Sequence, residues 1–459
     1  MRYISTRGET PPQRFLDAVL MGLAPDRGLL IPESIPDVRD RLDAWRGLDF
    51  AALAVEIVSL YCDDIPREDL EDIIARSYAT FDVPEVAPLV QVGDLQILEL
   101  FHGPTLAFKD VALQLLGNLF EYVLSRRGET LNILGATSGD TGSAAIAGVR
   151  GCEHVRIFIM YPDGRTSRIQ ELQMTTVDDD NVHTLCVDGS FDDCQAIMKS
   201  TFSDLDFKAQ HHLGAVNSVN WARVLAQVVY YFHAALQVSK DGAPVTFSVP
   251  TGNFGDIFAG WLAARMGLPV DRLILATNEN DILSVFFNTG VYRRGDVNFT
   301  VSPSMDIQVA SNFERFLYYR LGEDPVALRD AMDRFAQNGE LRLDDGRPID
   351  DLIVARAVDT EQTLAEIRSM HGDEGYLLDP HTAVGVVAGR ALRTDAPLIC
   401  LATAHPAKFP ESVERAIGRD IARHPRVDAL AGLPSRSTRI PADEARVKAF
   451  IAEFDRAGG

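Results

Sequence analysis

The sequence predicts an α/β protein organised around parallel sheets. Three observations carry this. From about residue 96, short β-branched apolar runs alternate with amphipathic stretches of helical spacing. Several of those runs pass straight into a polar or glycine-bearing turn and then into a helix, the rhythm of a parallel sheet. The composition, 46 % hydrophobic and 24 % charged over 459 residues, is that of a folded chain long enough for two or three domains.

The elements follow in order. Residues 1–95 mix short apolar runs with turns such as Ala24-Pro25-Asp26-Arg27-Gly28, and show helical spacing at 51–61 and 68–78. Beyond them the pattern predicts strands at 131–136, 155–161, 182–187, 215–217, 245–249, 273–277 and 398–403. It predicts helices at 106–124, 142–149, 191–202, 221–236, 255–266, 313–321, 355–368 and 383–392. The tail from about residue 422 is charged, with a surface helix expected at 443–454. In open α/β sheets ligands sit at the carboxyl ends of strands. Three junctions there have the composition of ligand loops: GATSGDTG at 135–142, PTGNFGD at 250–256 and LATAHP at 401–406.

Charge and cysteine usage exclude several classes. Forty-four basic against 66 acidic residues leave a net charge of −22, which repels nucleic acid and anionic membrane. No run approaches the ~20 apolar residues that span a bilayer, and the first residues lack a signal peptide's apolar core. Cys62, Cys152, Cys186, Cys194 and Cys400 are scattered and never form a CxxC pair, which argues against structural zinc and a disulfide framework. The acidic clusters 178–180 and 344–345 lack partners at metal-ligand spacing, so no metal is expected. A cytoplasmic enzyme with free thiols is the expectation.

Only six lysines stand against 38 arginines. Lys109 therefore stands out, between Phe108 and the apolar run Val111, Ala112, Leu113. Desolvation lowers a lysine's pKa, and a neutral lysine is a nucleophile whose usual work is imine formation with a carbonyl cofactor. The alternative is a helix lysine paired with Asp110 or Glu121. Gly252, Asn253, Phe254, Gly255 and Asp256 follow a strand and open a helix, where backbone N–H groups and the positive helix end suit a phosphate. An unliganded tight turn is an equal reading. Thr137, Ser138, Gly139, Asp140, Thr141 and Gly142 offer hydroxyls and N–H groups to a carboxylate or phosphate, or simply cap the next helix. Thr403 ends the last apolar strand, where its hydroxyl could meet a pyridine nitrogen or do nothing beyond closing the strand. An aldehyde-seeking lysine with a separate phosphate cradle points to pyridoxal phosphate (PLP).

These residues lie in longer motifs that resemble threonine synthases of the long bacterial and fungal type. The motifs include YISTRG at 3–8, GPTLAFKD at 103–110, the 135–142 loop, GSFDDCQ at 189–195 and NSVNWAR at 217–223. Further ones are ATNEND at 276–281, SPSMDI at 302–307, SNFER at 311–315, DPHTA at 379–383 and LATAHPAK at 401–408. The resemblance covers nearly everything up to about residue 421. It implies the tryptophan-synthase-β-like fold type II of PLP enzymes: an N-terminal region (1–95), a smaller α/β domain (96–230), a larger one (231–430) and a tail helix (431–459). It implies that Lys109 carries the cofactor as a Schiff base, that residues 252–256 hold its phosphate and that Thr403 faces its ring nitrogen. It implies that Asp140 stands near the cofactor's 3-hydroxyl, and that Thr137, Ser138, Gly139, Thr141 and Gly142 receive the substrate carboxylate. Arg168, Arg223 and Lys408 are the cations best placed by motif for the substrate phosphate. Two departures are visible: Asp140 replaces an asparagine common among cousins, and Arg27 replaces a glycine.

The activity so implied is conversion of O-phospho-L-homoserine and water to L-threonine and phosphate, by a monomer or homodimer. The rivals are another lyase of the same fold, such as a threonine or serine dehydratase or a cysteine synthase, and a non-catalytic PLP-binding paralogue.

Overall fold

Two parallel-rich sheets organise the chain. The structure, a computed structural model, describes residues 1–137, 139–239, 241–343 and 348–456. The larger sheet has six strands in the order Ile353–Ala357, Val270–Thr277, Val245–Pro250, Leu398–Ala402, Leu95–Glu99 and Leu89–Val92. All neighbours are parallel except the last pair, a hairpin. The smaller sheet is parallel throughout, in the order Thr438–Pro441, Val182–Asp188, Val155–Pro162, Leu131–Ala136 and Leu213–Gly214. Every residue of Val245–Pro250 and Leu398–Ala402 is buried. Helices covering both faces of such strands explain why they read as unbroken apolar runs.

Three expected elements differ, each for a local reason. The helix expected from 106 starts at Lys109. Leu106 is left-handed (φ 60°) and Ala107 forms an antiparallel bridge to Ala404, so helical geometry cannot begin before Phe108. The helix expected at 355–368 is a strand, Ile353–Ala357, followed by the helix Thr360–Glu374. Asp359 and Gln362 form a capping box that sets the start. The strand expected at 215–217 is absent; the pairing lies two residues earlier, at Leu213–Gly214. Asn217 instead turns the chain, its side chain accepting from Val219 N–H at 3.1 Å.

The sheets also cut across the segments drawn from the sequence. Leu95–Glu99 pairs with Leu398–Ala402 in the larger sheet. The tail returns to the smaller one: Thr438–Pro441 extends its edge, and Val447 and Ile451 of the helix Glu444–Arg456 bury against Leu134, Phe158 and Ile197. The N-terminal region is welded on through buried polar contacts. Thr6 donates to Glu314 at 2.8 Å and Arg7 pairs with it at 2.9 Å, while Arg315 Nη2 donates to the Leu30 carbonyl at 3.0 Å. Arg27 is left-handed (φ 65°), the conformation glycine adopts without cost. The helices Lys109–Arg127 and Asp140–Val149 cross where Gly117 faces Gly148; a Cβ at Gly117 would stand 1.7 Å from the Gly148 carbonyl oxygen. That crossing fixes the lysine helix against the helix that follows the 135–142 loop. Among the described residues no helix is long and apolar enough to cross a membrane.

Candidate active site

Two of the three loops at strand carboxyl ends meet the segment that launches the Lys109–Arg127 helix. Phe108 N–H donates to the Thr403 carbonyl at 2.8 Å and His405 N–H to the Leu106 carbonyl at 3.0 Å. The end of the last strand is therefore bonded directly to the segment that launches Lys109. Asp110 does not pair with Lys109 in a bridge; it accepts from Thr105 twice, at 2.7 and 2.8 Å, which pins the turn. Burial pushes the Asp110 carboxyl up to about 6, against the Thr105 hydrogen bonds that lower it. Glu121 is engaged by His154 at 2.6 Å. Neither of the structural partners expected for Lys109 therefore claims it.

Its partner is Asp140, with Lys109 Nζ 3.9 Å from Oδ2. Burial lowers the Lys109 pKa, Asp140 raises it, and the cations Lys408 and Arg223 lower it further. Asp140 is itself buried and surrounded by donors. Lys408 Nζ lies 3.1 Å from Oδ1, Gln170 Nε2 donates to Oδ1 at 3.0 Å, and Ser304 Oγ to Oδ2 at 3.2 Å. Burial alone would raise its carboxyl; the ammoniums of Lys408 and Lys109, with Gln170, outweigh that and hold it well below the usual carboxylate range. Lys408 is fully buried, donating to the Thr105 carbonyl at 2.6 Å and Gln173 Oε1 at 2.9 Å. Its role here is to neutralise Asp140. An ionised Asp140 only accepts hydrogen bonds, so beside a cofactor hydroxyl it would take that group's proton as acceptor, where an asparagine could donate.

The 252–256 loop forms a cradle. A Cβ at Gly252 would come within 3.0 Å of the Ser304 carbonyl oxygen, and one at Gly255 within 3.2 Å of Asn312 Nδ2. The strained residue is Phe254, left-handed at φ 67°, whose ring is clamped by Phe287, Phe313 and Phe316. Asn253 is braced by Asn312, whose backbone N–H donates to its carbonyl at 3.0 Å. The first N–H groups of the helix Gly255–Arg265 have no intrahelical acceptor, and among the described residues none outside it is recorded for residues 252–256. Asp256 contributes its backbone only. Its carboxylate accepts from Tyr230 at 2.6 Å and Tyr231 at 2.8 Å, and burial raises it to about 6 despite them.

Arg223 is buried, donates through Nη1 to the Asn217 carbonyl at 2.7 Å, and leaves Nε without a partner. Burial pulls its guanidinium down to about 10. A buried, half-used guanidinium within electrostatic reach of Lys109 is a site for an anion. Arg168 is exposed at the start of the helix Arg168–Thr175, two residues before Gln170. In the 137–142 loop, Thr137 Oγ1 accepts from the N–H groups of Gly139 (3.1 Å) and Gly142 (3.2 Å), shaping the entry to the helix Asp140–Val149. Thr141 is half-buried in its first turn. Ser138 lies outside the described residues. Thr403 is buried, and among the described residues its hydroxyl has no hydrogen-bond partner.

The structure thus gathers Lys109, Asp140, Thr403 and Arg223, and leaves Arg168 at the surface. The sequence reading gave no role to Gln170, which lies on a helix with no distinguishing local pattern, or to Ser304, although the motif at 302–307 contains it. Of the acidic clusters, Asp178 and Asp179 serve as partners of Arg436 and Arg150, each at 2.6 Å, and Asp344 and Asp345 lie outside the described residues. A buried lysine, a loop of free N–H groups and the Thr403 hydroxyl at the end of the last strand fit a cofactor that carries an aldehyde, a phosphate and a ring acceptor, as PLP does.

Comparison with known proteins agrees. The profile for pyridoxal-phosphate-dependent enzymes matches residues 82–401; those for the threonine synthase N terminus and C-terminal part match 2–78 and 382–451. The threonine synthase of Pseudomonas aeruginosa is 48 % identical over 466 residues, covering 100 % of this chain and 99 % of its own. That of Saccharomyces cerevisiae is 48 % identical over 458 residues, covering 90 % and 89 %. The crystal structure of PLP-bound threonine synthase from Brucella melitensis superposes with a TM-score of 0.96 at 44 % identity, covering 99 % of each chain. Similarity of this extent, running through both sheets and the Lys109 loops alike, makes the chain a member of the threonine synthase family of pyridoxal-phosphate-dependent enzymes.

Proposed function

We propose that this enzyme converts O-phospho-L-homoserine and water to L-threonine and phosphate, using PLP held by Lys109. The observation that carries the reading is the Lys109–Asp140–Lys408 array beside a free phosphate cradle. When bound, PLP supplies the electron sink that makes the substrate's α and β protons removable. Residues 252–256 would hold its phosphate through backbone N–H groups, and Thr403 would offer its hydroxyl to the ring nitrogen. The N-terminus of the Asp140–Val149 helix, entered through Thr137, Ser138, Gly139, Thr141 and Gly142, would take the substrate carboxylate. Arg223 and the exposed Arg168 would meet the substrate phosphate.

Lys109 is the proton carrier of this site. Its amine, made less basic by burial, can accept a proton at Nζ and return it to a neighbouring carbon. Asp140 steadies the charged form of that amine, and Lys408 keeps Asp140 ionised while it does so. A threonine hydroxyl, rather than a carboxylate, at the ring nitrogen leaves that nitrogen largely unprotonated, so electrostatic stabilisation falls to the surrounding cations. The reading extends to a cytoplasmic enzyme, supported by five free cysteines, acting as a monomer or homodimer on a small molecule.

The test is stoichiometric release of phosphate and L-threonine from O-phospho-L-homoserine by the purified protein with PLP. Faster turnover of free threonine or serine would identify a dehydratase instead. A visible cofactor band with no phosphate release would identify a non-catalytic paralogue.

A further inference from the structure

Asp379, His381 and Thr382 lie outside the residues expected to meet a ligand, yet all three are buried. Asp379 caps the helix Pro380–Leu392, accepting from the backbone N–H groups of His381 at 2.9 Å and Thr382 at 3.2 Å. Its carboxylate also holds both of those side chains. Oδ1 accepts from His381 Nδ1 at 2.9 Å, and Oδ2 accepts from the Thr382 hydroxyl.

Each of the two passes the contact on. His381 Nε2 accepts from the Ser304 backbone N–H at 3.1 Å. An accepting ring nitrogen carries no proton, so the proton sits on Nδ1 and the imidazole is neutral. The Ser304 hydroxyl then donates to Asp140 Oδ2 at 3.2 Å, the oxygen 3.9 Å from Lys109 Nζ. Thr382 Oγ1 in turn accepts from the Thr403 backbone N–H at 3.2 Å. One buried carboxylate therefore reaches both the acid beside the reactive lysine and the threonine at the end of the last strand. As a helix cap alone it would need neither branch.

We propose that Asp379 is a positioning hub: through His381 and Ser304 it sets Asp140 against Lys109, and through Thr382 it sets the backbone of Thr403. The inference deepens the assignment of Lys109 as the cofactor lysine and rests on it. The charged groups that act on this region are Lys408 and Lys109 around Asp140, with Arg223 and Asp110 also acting on Lys109; the titratable groups facing Asp379 are His381, His405 and Tyr376.

The test uses the full-length enzyme loaded with PLP and follows the visible absorbance of the bound cofactor against pH. His381→Asn keeps a polar atom near Asp379 but has none at the position of Nε2. His381→Gln can place Oε1 there and accept from Ser304. Expected is a midpoint about half to one pH unit lower in His381→Asn, because a loosened Asp140 favours the charged lysine nitrogen less. His381→Gln should recover the parent midpoint. Ser304→Ala should shift it as His381→Asn does, and the double variant should shift it no further. A parent-like midpoint in His381→Asn, or additive shifts in the double variant, would overturn the hub. NMR of the imidazole nitrogens in the unmutated protein covers the case in which His381→Asn fails to fold. A proton on Nδ1 alone between about pH 6 and 9 supports the hub, and a proton on Nε2 refutes it. Lys109→Ala run alongside loses the band if Lys109 carries the cofactor. The imidazole signal needs no cofactor, so the hub stands or falls even if that assignment fails.

Discussion

Replacing Asp140 by asparagine tests the electrostatic core of the site. The substitution keeps shape and an acceptor oxygen but deletes the carboxylate that faces two ammoniums, 3.9 Å from Lys109 Nζ and 3.1 Å from Lys408 Nζ. At 3.9 Å and an effective dielectric of about 20, a unit charge pair is worth about 4 kcal/mol, the equivalent of about three pH units. That is a ceiling, because the Lys109 side chain is 13 % exposed and solvent and neighbouring dipoles take up part of it. Lys408 and Arg223 remain and act in the same direction, since both disfavour the charged lysine. The midpoint for capture of the cofactor's aldehyde by Lys109 in the apoprotein should therefore fall by about one to two pH units. Capture is read as the rate at which the visible band appears between about pH 6 and 10. Stability should fall too. Lys408, whose side chain is 0 % exposed, loses its counter-ion, and an uncompensated buried charge costs about 3–5 kcal/mol, less whatever the asparagine oxygen recovers. A capture midpoint that stays put or rises would refute the reasoning, because no neighbouring cation can compensate for a lost anion.

Arg223→Met should weaken competition by inorganic phosphate about 10- to 100-fold, the worth of a charge-assisted hydrogen bond in a buried site, while Arg168→Met at the exposed position costs less; phosphate inhibition of turnover reads both. Thr403→Val should cost about 0.5–1.5 kcal/mol of PLP affinity by equilibrium dialysis with an unchanged melting curve, since the hydroxyl has no protein partner to lose among the described residues. Buried histidines should make acid destabilise the fold, opposed by the buried Asp110 and Asp256 carboxyls, which burial raises to about 6. Burial lowers His183, His233 and His405 to about 4 each, so below about pH 6.5 the unfolded chain binds protons that the native one does not. The three imidazoles cost at most about 4 kcal/mol per pH unit as pH falls from about 6.5 towards 4, and the two carboxyls, protonated first in the native state, return at most about 3, so the net sign is a modest loss of stability. Urea titrations between about pH 5.5 and 7 measure it, and His183→Phe, packed on Phe158, should reduce the loss by at most about 1.4 kcal/mol per pH unit.

Much of the site was legible because its signals are local. Strand-to-helix turns at 135–142 and 250–256 announce themselves by glycine, serine and threonine, and Lys109 stands out by the scarcity of lysine and its apolar flank. The strands Leu131–Ala136 and Leu398–Ala402 are legible because burial on both faces demands continuous apolar runs. The hairpin Leu89–Val92 and Leu95–Glu99 was not, because its edge strand is only partly buried and alternates weakly. The last three residues of the strand Ile353–Ala357 were read as the start of a helix because five residues at a sheet edge carry little period of their own.

From the sequence alone come the α/β class, the candidate lysine, the two candidate anion loops and the family motifs; each is a property of residues within a few positions of one another. Only the tertiary structure decides what those residues face. Lys408, read as a cation for the substrate phosphate, is spent on Asp140; of six lysines, two thus meet at one buried carboxylate. Asp256, read as part of the phosphate loop, gives its side chain to two tyrosines. Asp379 reaches the site through contacts spanning 77 and 164 residues of chain. Charges buried in a low dielectric must find partners wherever the fold brings them, and that choice leaves no trace in local spacing.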